Sequence, residues 1–183
     1  TEPYNDERGR NRVFPPIADF VKEKLYEDQG LHCEVAKLKM DFMTRAQSLI
    51  HGDLHTGSIF INEESTKVFD PEFCFYGPMG YDIGNVIANM ILAWANGDAA
   101  GAADFCKWVE DVLVDVINMT KEKMEKYYDE HVTDTMCRNE LYKKYYMDTI
   151  IEDTSAVAGL ELIRRIVGMA NVKDITTIAD EAK

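Results

Sequence analysis

A short polar stretch, residues 51–72, interrupts a sequence whose other patterns are mostly helical. Between residues 32 and 50, apolar side chains recur at spacings of three, four and one, which predicts an amphipathic helix. A shorter helix is predicted over residues 17–27, ended by Gly30. Inside the polar stretch, two short segments of strand composition flank a turn. We therefore predict a fold class that is mainly α with one small β-hairpin.

The predicted hairpin places its strands at residues 58–61 and 67–69. It joins two polar clusters, which are residues 51–55 (HGDLH) and residues 70–72 (DPE). Because a chain reversal brings the two ends of a hairpin together, we expect the carboxylates of the first cluster to lie beside those of the second.

Helices are predicted for the rest of the chain, over residues 81–95, 103–128, 133–147 and 149–169. Residues 96–101, rich in Gly and Ala, separate the first two. The first sixteen residues are polar and contain Pro, so we expect a linker over 1–16 and one domain over 17–183. The sequence shows no internal repeat.

Composition excludes several classes of function. The 183 residues carry a formal charge of −13, which argues against nucleic acid and anionic membranes because both need clustered Lys and Arg. No apolar run is long enough to span a bilayer. The four cysteines are scattered without a zinc-binding spacing, so we expect a reduced, cytoplasmic compartment.

The acidic residues at the two ends of the hairpin are the candidate chemistry. Crowded carboxylates repel one another unless a cation lies between them, and Mg²⁺ binds through one or two carboxylates plus water and phosphates. Among Asp53, Asp70 and Glu72, a carboxylate left outside the metal shell could accept a proton from an attacking hydroxyl. Taken singly, such acids are more often ordinary surface residues. Their order after a helix and around a hairpin favours phosphoryl transfer.

The string from His51 to Ile59, HGDLHTGSI, resembles the catalytic loop of the aminoglycoside phosphotransferase and choline kinase superfamily. Ser58, where many members have Asn, and the Asp70-Pro71-Glu72 triplet are similar to the methylthioribose kinase family within it. Residues 75–84, FYGPMGYDIG, add to this resemblance. It extends over nearly the whole chain and is strongest over residues 49–93.

This resemblance implies a role for each matching residue. Asp53 would be the catalytic base and would bind the sugar at its 1-hydroxyl. Asp70, Pro71 and Glu72 would form the ATP-binding and metal loop, with Asp70 and Glu72 holding Mg²⁺. The catalytic loop would span residues 51–58, the metal loop 70–72 and the helical remainder 81–170.

Two further positions have competing interpretations. Asp82 either anchors the catalytic loop from beneath or is simply an acid favoured at a helix N-terminus. The pair Arg164-Arg165 could be two solvated arginines near a helix C-terminus, where positive charge is favourable. The resemblance instead implies that both bind substrate and stabilise the transferring phosphoryl group.

The sequence contains no Gly-rich phosphate loop and no strand with an ATP-binding Lys. We therefore expect a C-terminal lobe of a protein-kinase-like fold, without the N-lobe that would hold ATP. The expected parent is an ATP- and Mg²⁺-dependent, homodimeric 5-methylthioribose kinase of methionine salvage. The alternatives are a kinase for choline, an aminoglycoside or homoserine, and a non-catalytic kinase-like module.

Overall fold

Helices α1 and α2 begin the fold in the computed structural model, which describes residues 1–178. Helix α1 spans Ala18–Val21 and continues through a π-helical turn, Lys22–Tyr26. Helix α2 spans Gln29–Thr44. The Asp28 carboxylate accepts a hydrogen bond from Leu31 N at 2.9 Å, which caps α2. Gly30 therefore lies in the first turn of α2, and its predicted role as the end of α1 is wrong.

Four short strands follow and form two antiparallel pairs. Strands β2, Ile59–Ile61, and β3, Thr66–Val68, form the predicted hairpin. Strand β1, Ser48–Ile50, pairs with β4, Phe75–Gly77. The prediction that helix continues to Ile50 is therefore wrong, because the backbone there bonds to a strand beyond the hairpin.

Three long helices make up most of the remainder. Helix α3 spans Gly80–Ala99, α4 spans Ala103–His131 and α5 spans Glu140–Ile166. A four-residue helix, α6, covers Lys173–Thr176. The prediction of two helices across residues 133–169 is wrong, because α5 continues unbroken past residue 148. The Asn139 side chain caps it by accepting from the N–H groups of Leu141 and Tyr142.

Helices α3 and α5 pack backbone against backbone. A Cβ atom added at Gly80 would lie 2.6 Å from Thr154 N, and one added at Gly84 would lie 2.7 Å from Thr154 O. No side chain larger than hydrogen fits at either contact. Ile87, Ala88 and Ala158 extend this interface as a buried apolar cluster.

A second core cluster joins the N-terminal segment to the helices. Tyr4, Val21, Leu25, Val35 and Val167 are buried together. Residues 1–16 contain little regular structure, yet Tyr4 is only 4% exposed, so this segment packs against the domain. Among residues 1–178, no helix combines the length and the apolar character needed to cross a membrane.

Candidate active site

The loop after β1 is held from below by Asp82, in the first turn of α3. Asp82 Oδ2 accepts a hydrogen bond from His51 N at 2.6 Å, and Oδ1 accepts one from Gly52 N at 3.0 Å. Such charge-assisted bonds are stronger than neutral ones. Both readings of Asp82 thus apply: it lies at a helix N-terminus, and it anchors the loop that carries Asp53.

The His51 ring orders the same loop from within. His51 Nδ1 lies 3.3 Å from Asp53 N and can only accept from that N–H. Its Nε2 lies 2.9 Å from Phe69 O and therefore donates to that carbonyl. The His51 ring thus links the backbone of Asp53 to the residue just before Asp70.

The end of this loop is closed by a side-chain contact. Ser58 is 4% exposed, and its hydroxyl lies 3.2 Å from His55 Nε2. A short 3₁₀ turn over Thr56–Ser58 leads into β2. Ser58 therefore helps to shape the loop through His55.

The acidic loop after β3 approaches the catalytic loop through its backbone. Gly52 has φ +85°, and a Cβ added there would overlap the carbonyl oxygen of Phe73. Asp70 has φ +66°, a left-handed conformation that non-glycine residues seldom adopt. Asp70 and Glu72 are both exposed. The predicted juxtaposition of the two loops is thus present at the level of the backbone.

A cavity of about 630 Å³ opens beside Asp53. Its polar wall includes Asp53, Asn85, Glu161 and Arg164. Its apolar wall is formed largely by α2 and α5, with the side chains Val35, Leu38, Phe42, Met43, Val157 and Leu160. Phe42 also packs on Phe75 and Tyr81, with ring centroids 4.9 and 4.8 Å apart. The cavity therefore combines polar and apolar lining, and α2 contributes the charged Lys39 and Asp41 to it besides its apolar side chains.

The ionisable groups of the cavity wall influence one another's pKa values. Burial raises the pKa of the Tyr81 hydroxyl, with Asp53 and Glu161 adding to the effect and Asn85 and Arg164 opposing it. Tyr81 is therefore a neutral phenol near pH 7. Partial burial lowers the pKa of Arg164, but attraction to Glu161, with smaller contributions from Tyr81 and Asp53, outweighs this and leaves the pKa raised.

A second ion pair borders the cavity where α2 meets α5. Arg45 Nη1 donates to Asp153 Oδ2 at 2.5 Å, and Arg45 Nη2 donates to Asp41 Oδ2 at 2.9 Å. Burial raises the pKa of Asp153, and Arg45 counteracts that rise. This bridge ties the end of α2 to the middle of α5.

The twin arginines at the end of α5 share one carboxylate. Glu161 Oε2 accepts from Arg164 Nη1 at 2.9 Å, and Oε1 accepts from Arg165 Nε at 2.5 Å. The Arg164 side chain is 45% exposed and lines the cavity, whereas that of Arg165 is 15% exposed. Arg165 Nη1 also donates to Ala170 O at 3.4 Å.

Comparison with known proteins agrees with this geometry. The model of the phosphotransferase enzyme family (APH) matches residues 7–113, which include both polar loops and Asp82. This chain belongs to that family. The match covers more than half of the chain, and the catalytic-loop resemblance and the mainly α fold class with a hairpin are confirmed.

Several curated relatives of this phosphotransferase chain are methylthioribose kinases. Methylthioribose kinase 1 of Oryza sativa subsp. japonica is 38% identical over 94% of this chain and 44% of the relative. The methylthioribose kinase of Bacillus pumilus is 37% identical over 100% and 45%. That of Escherichia coli O45:K1 is 34% identical over 97% and 46%. The chain thus spans a little under half the length of these relatives.

The structure brings some of the predicted site residues together and leaves others apart. Asp53 and Arg164 line one cavity. Among the described residues that line it, Asp70, Pro71, Glu72 and Arg165 do not appear. No group of three or more acidic, His or Cys side chains within residues 1–178 is arranged to hold a metal by itself.

Sequence reasoning missed much of the polar lining of this cavity, including Asn85 and Glu161. Asn85 carried no usable signal, because its side chain bonds within its own helix, to Tyr81 O at 3.0 Å. Glu161, in contrast, could have been found from its spacing in the sequence. An acid three and four positions before two arginines on a helix faces both of them.

Proposed function

We propose that this chain is the catalytic C-terminal lobe of a kinase that transfers the γ-phosphoryl group of ATP to the 1-hydroxyl of 5-methylthioribose. The observation that carries the proposal is the arrangement around Asp53. A loop anchored on Asp82 presents this acid to a cavity whose wall also carries Arg164. The names of the curated relatives support the choice of acceptor.

Asp53 acts as the general base in this proposal. Its backbone N–H is held by His51, and the two preceding N–H groups are held by Asp82. A base whose loop is fixed before substrate arrives loses little conformational freedom when it aligns a hydroxyl for attack. Asp53 then accepts the proton of the sugar's 1-hydroxyl as that oxygen attacks phosphorus.

The acidic loop suits a magnesium ion. Asp70 and Glu72 are exposed carboxylates flanking Pro71, and hard oxygen donors of this kind suit Mg²⁺. Two carboxylates are enough, because Mg²⁺ takes its other ligands from water and phosphates. When bound, the metal would neutralise charge on the ATP phosphates. Pro71 fixes one backbone angle between the two ligands.

Arg164 and Arg165 serve the phosphoryl end of the reaction. Arg164 lies in the cavity wall with a charged guanidinium, which suits an anion developing near Asp53. Arg165 contributes through the Glu161 carboxylate that the two side chains share.

The apolar wall of the cavity suits the methylthio end of the acceptor. Leu38, Phe42 and Met43 of α2 form part of this wall. An acceptor that carries hydroxyls and a thioether would match both the polar and the apolar side chains of the cavity. Choline, an aminoglycoside and homoserine lack that combination.

The layout proposed for the intact protein follows the sequence prediction. Residues 1–16 link to an N-lobe, residues 17–183 form the C-lobe, and the N-lobe supplies the adenine site and the phosphate-covering loop. We further propose a cytoplasmic homodimer acting in methionine salvage. The cytoplasmic location is supported by the free cysteines Cys33 and Cys74 at the surface, which favour a reducing compartment. The homodimer and the place in methionine salvage follow from the family resemblance.

A kinase assay on the intact protein tests the proposal. 5-Methylthioribose, choline, an aminoglycoside and homoserine are offered at equal concentration with ATP and Mg²⁺, and transfer of labelled phosphate is measured. We expect the highest kcat/KM with 5-methylthioribose. A higher value with another acceptor would replace the substrate while retaining the kinase, and no transfer to any of them would favour a binding module.

A calorimetric titration separates the two lobes. Residues 1–183 alone should bind Mg²⁺–ATP weakly or not at all, because the proposal assigns the adenine site to the other lobe. Tight binding to this chain alone would contradict that division of labour.

A further inference from the structure

We propose that Glu161 is a positioning residue that aims the Arg164 guanidinium into the cavity beside Asp53. This inference rests on the proposed kinase function and assigns Glu161 to the positioning of Arg164. Three observations carry it: the burial of Glu161, its two ion pairs and the different surroundings of the two arginines.

Glu161 is a buried charge with two partners. It is only 5% exposed, and its two oxygens accept from two different guanidinium groups. A buried carboxylate that lost both partners would be strongly destabilised, so the three side chains must be treated as one unit. The unit has one negative and two positive charges, which leaves a net positive charge beside the cavity.

The helix geometry explains how one acid reaches both arginines. Residues three and four positions further along a helix lie on the same face as the first. Glu161 therefore faces Arg164 and Arg165, although these two neighbours point in directions about 100° apart. The carboxylate holds both side chains near one line along α5.

The two arginines are used differently. Arg165 is largely buried, and its Nη1 donates a hydrogen bond to the carbonyl oxygen of Ala170. Arg164 is 45% exposed, and its hydrogen bond to Glu161 engages Nη1. Since a guanidinium carries five N–H donors, several of those on Arg164 are available to an anionic ligand.

Glu161 also restricts how Arg164 can move. A long exposed arginine has considerable rotamer freedom, and fixing it costs free energy when a ligand binds. An Nη1 contact at 2.9 Å to a buried, doubly held carboxylate removes part of that freedom beforehand. The expected benefit lies in the transition state, where a donor must already point at the developing charge.

The first test is Glu161→Gln in the intact protein, with kcat and both KM values measured. Glutamine preserves size but removes the charge that holds two guanidinium groups. We expect kcat for 5-methylthioribose to fall about ten- to a hundred-fold, below the full loss of one transition-state donor. KM for ATP should change less than about two-fold, because the N-lobe holds adenine. Unchanged kcat in folded Glu161→Gln would overturn the proposal.

A double-mutant cycle separates positioning from stability. Arg164→Ala should reduce kcat by itself, and adding Glu161→Gln to it should reduce kcat further by less than about two-fold. Multiplying effects of the two substitutions would show that Glu161 acts elsewhere, and would overturn the proposal. Glu161→Asp keeps the charge on a shorter side chain and should recover part of the loss. It also decides the question if Glu161→Gln cannot be obtained folded.

Glu152→Gln is the matched control. Glu152 is an exposed carboxylate on the same helix and does not line the cavity among the described residues. Its substitution removes the same charge from α5, so kcat should stay within about two-fold of the unsubstituted protein.

A titration with inorganic phosphate needs no turnover. The NMR signals of the arginine side chains are followed in the intact protein, and Glu161→Gln should weaken the phosphate response of Arg164 several-fold. A response that depends on Glu161 in a protein inactive toward 5-methylthioribose would preserve this inference and reject the proposed substrate. Normal activity toward 5-methylthioribose with a phosphate response independent of Glu161 would preserve the proposed substrate and overturn this inference.

Discussion

The two polar loops at the ends of the β2–β3 hairpin are built in opposite ways. The catalytic loop, residues 51–58, is half buried and tied down at His51, Gly52 and Ser58. The acidic loop, residues 70–73, is exposed throughout, and its Asp70 has a left-handed backbone. The two loops approach each other where Gly52 lies against the carbonyl of Phe73, and His51 Nε2 bonds to the carbonyl of Phe69, the residue just before the acidic loop.

This contrast separates the loop that the domain holds in place by its own contacts from the loop that has few such contacts. The proposed base, Asp53, is positioned by the fold, since its supports come from α3 and from the loop itself. The proposed metal loop has carboxylates and a left-handed residue but few supports of its own, so bound metal and phosphates would complete it. We therefore expect substitutions in the first loop to affect stability and rate, and those in the second to affect metal dependence.

Asp53→Asn should produce the largest effect. The side chain keeps its size but can no longer accept a proton, so kcat of the intact protein should fall about 10²–10⁴-fold. Stability should stay unchanged within about 0.5 kcal/mol, measured by urea unfolding. Asp115→Asn, an exposed acid on α4, provides the control. Full activity in Asp53→Asn would remove this residue from the role of base.

Gly52→Ala tests how closely the two loops approach. A methyl group there would overlap Phe73 O, and φ +85° is unfavourable for alanine. We expect the free energy of unfolding to fall by more than about 2 kcal/mol.

Two glycines make the Gly52 comparison quantitative. Gly9, with φ +61° and open space around it, reports the backbone cost alone, and the helical Gly159, also open, should tolerate alanine. If Gly52→Ala costs no more than Gly9→Ala, then the loops are further apart than the structure shows.

Asp82→Ala should loosen the catalytic loop. Two backbone N–H groups lose a charged acceptor, and we expect a loss of about 2 kcal/mol in unfolding free energy together with a lower kcat. Asp104→Ala is the matched control, because Asp104 is an acid in the first turn of α4 and shares only the helix-dipole contribution. Equal losses in the two variants would mean that Asp82 is only a favourable helix N-terminal charge.

Glu72→Gln should produce the smallest change in stability and a selective change in metal dependence. The exposed side chain contributes little to folding, so the melting temperature should stay constant. The Mg²⁺ concentration that gives half-maximal activity should rise several-fold, because one ionised ligand is lost. Glu64→Gln, an exposed acid in the hairpin turn, should leave it unchanged. An unaltered Mg²⁺ titration in Glu72→Gln would argue against metal binding there.

The sequence allowed prediction of features that depend on local pattern. The hairpin, the loop around Asp53 and the existence of α3 and α4 all follow from composition or periodicity within a short window. Pairing of Ser48–Ile50 with Phe75–Gly77 could not be predicted. Each partner is only three residues long, and the hydrogen bonds that define them cross the entire hairpin.

The candidate site divides in the same way. The carboxylates were found because they fall in a recognisable string, and Glu161 could have been found from its spacing to Arg164 and Arg165. The bridge from Arg45 to Asp153 could not, since 108 positions separate its ends. The side-chain positions of Asp70 and Glu72 relative to Asp53 depend on an exposed loop, and their assignment stays a prediction.

The glycine contacts between α3 and α5 have a consequence for how acceptor preference can diverge. These helices carry the anchor Asp82 and the cation Arg164, and at Gly80 and Gly84 they meet without intervening side chains. Because no larger side chain fits at these two glycines, the packing that holds Asp82 and Arg164 in place cannot change there. On α2, by contrast, Met43 is exposed and Leu38 is only half buried, so these two side chains can be exchanged for others of different shape. New acceptors would therefore be accommodated by remodelling that wall, with the chemical groups left in place.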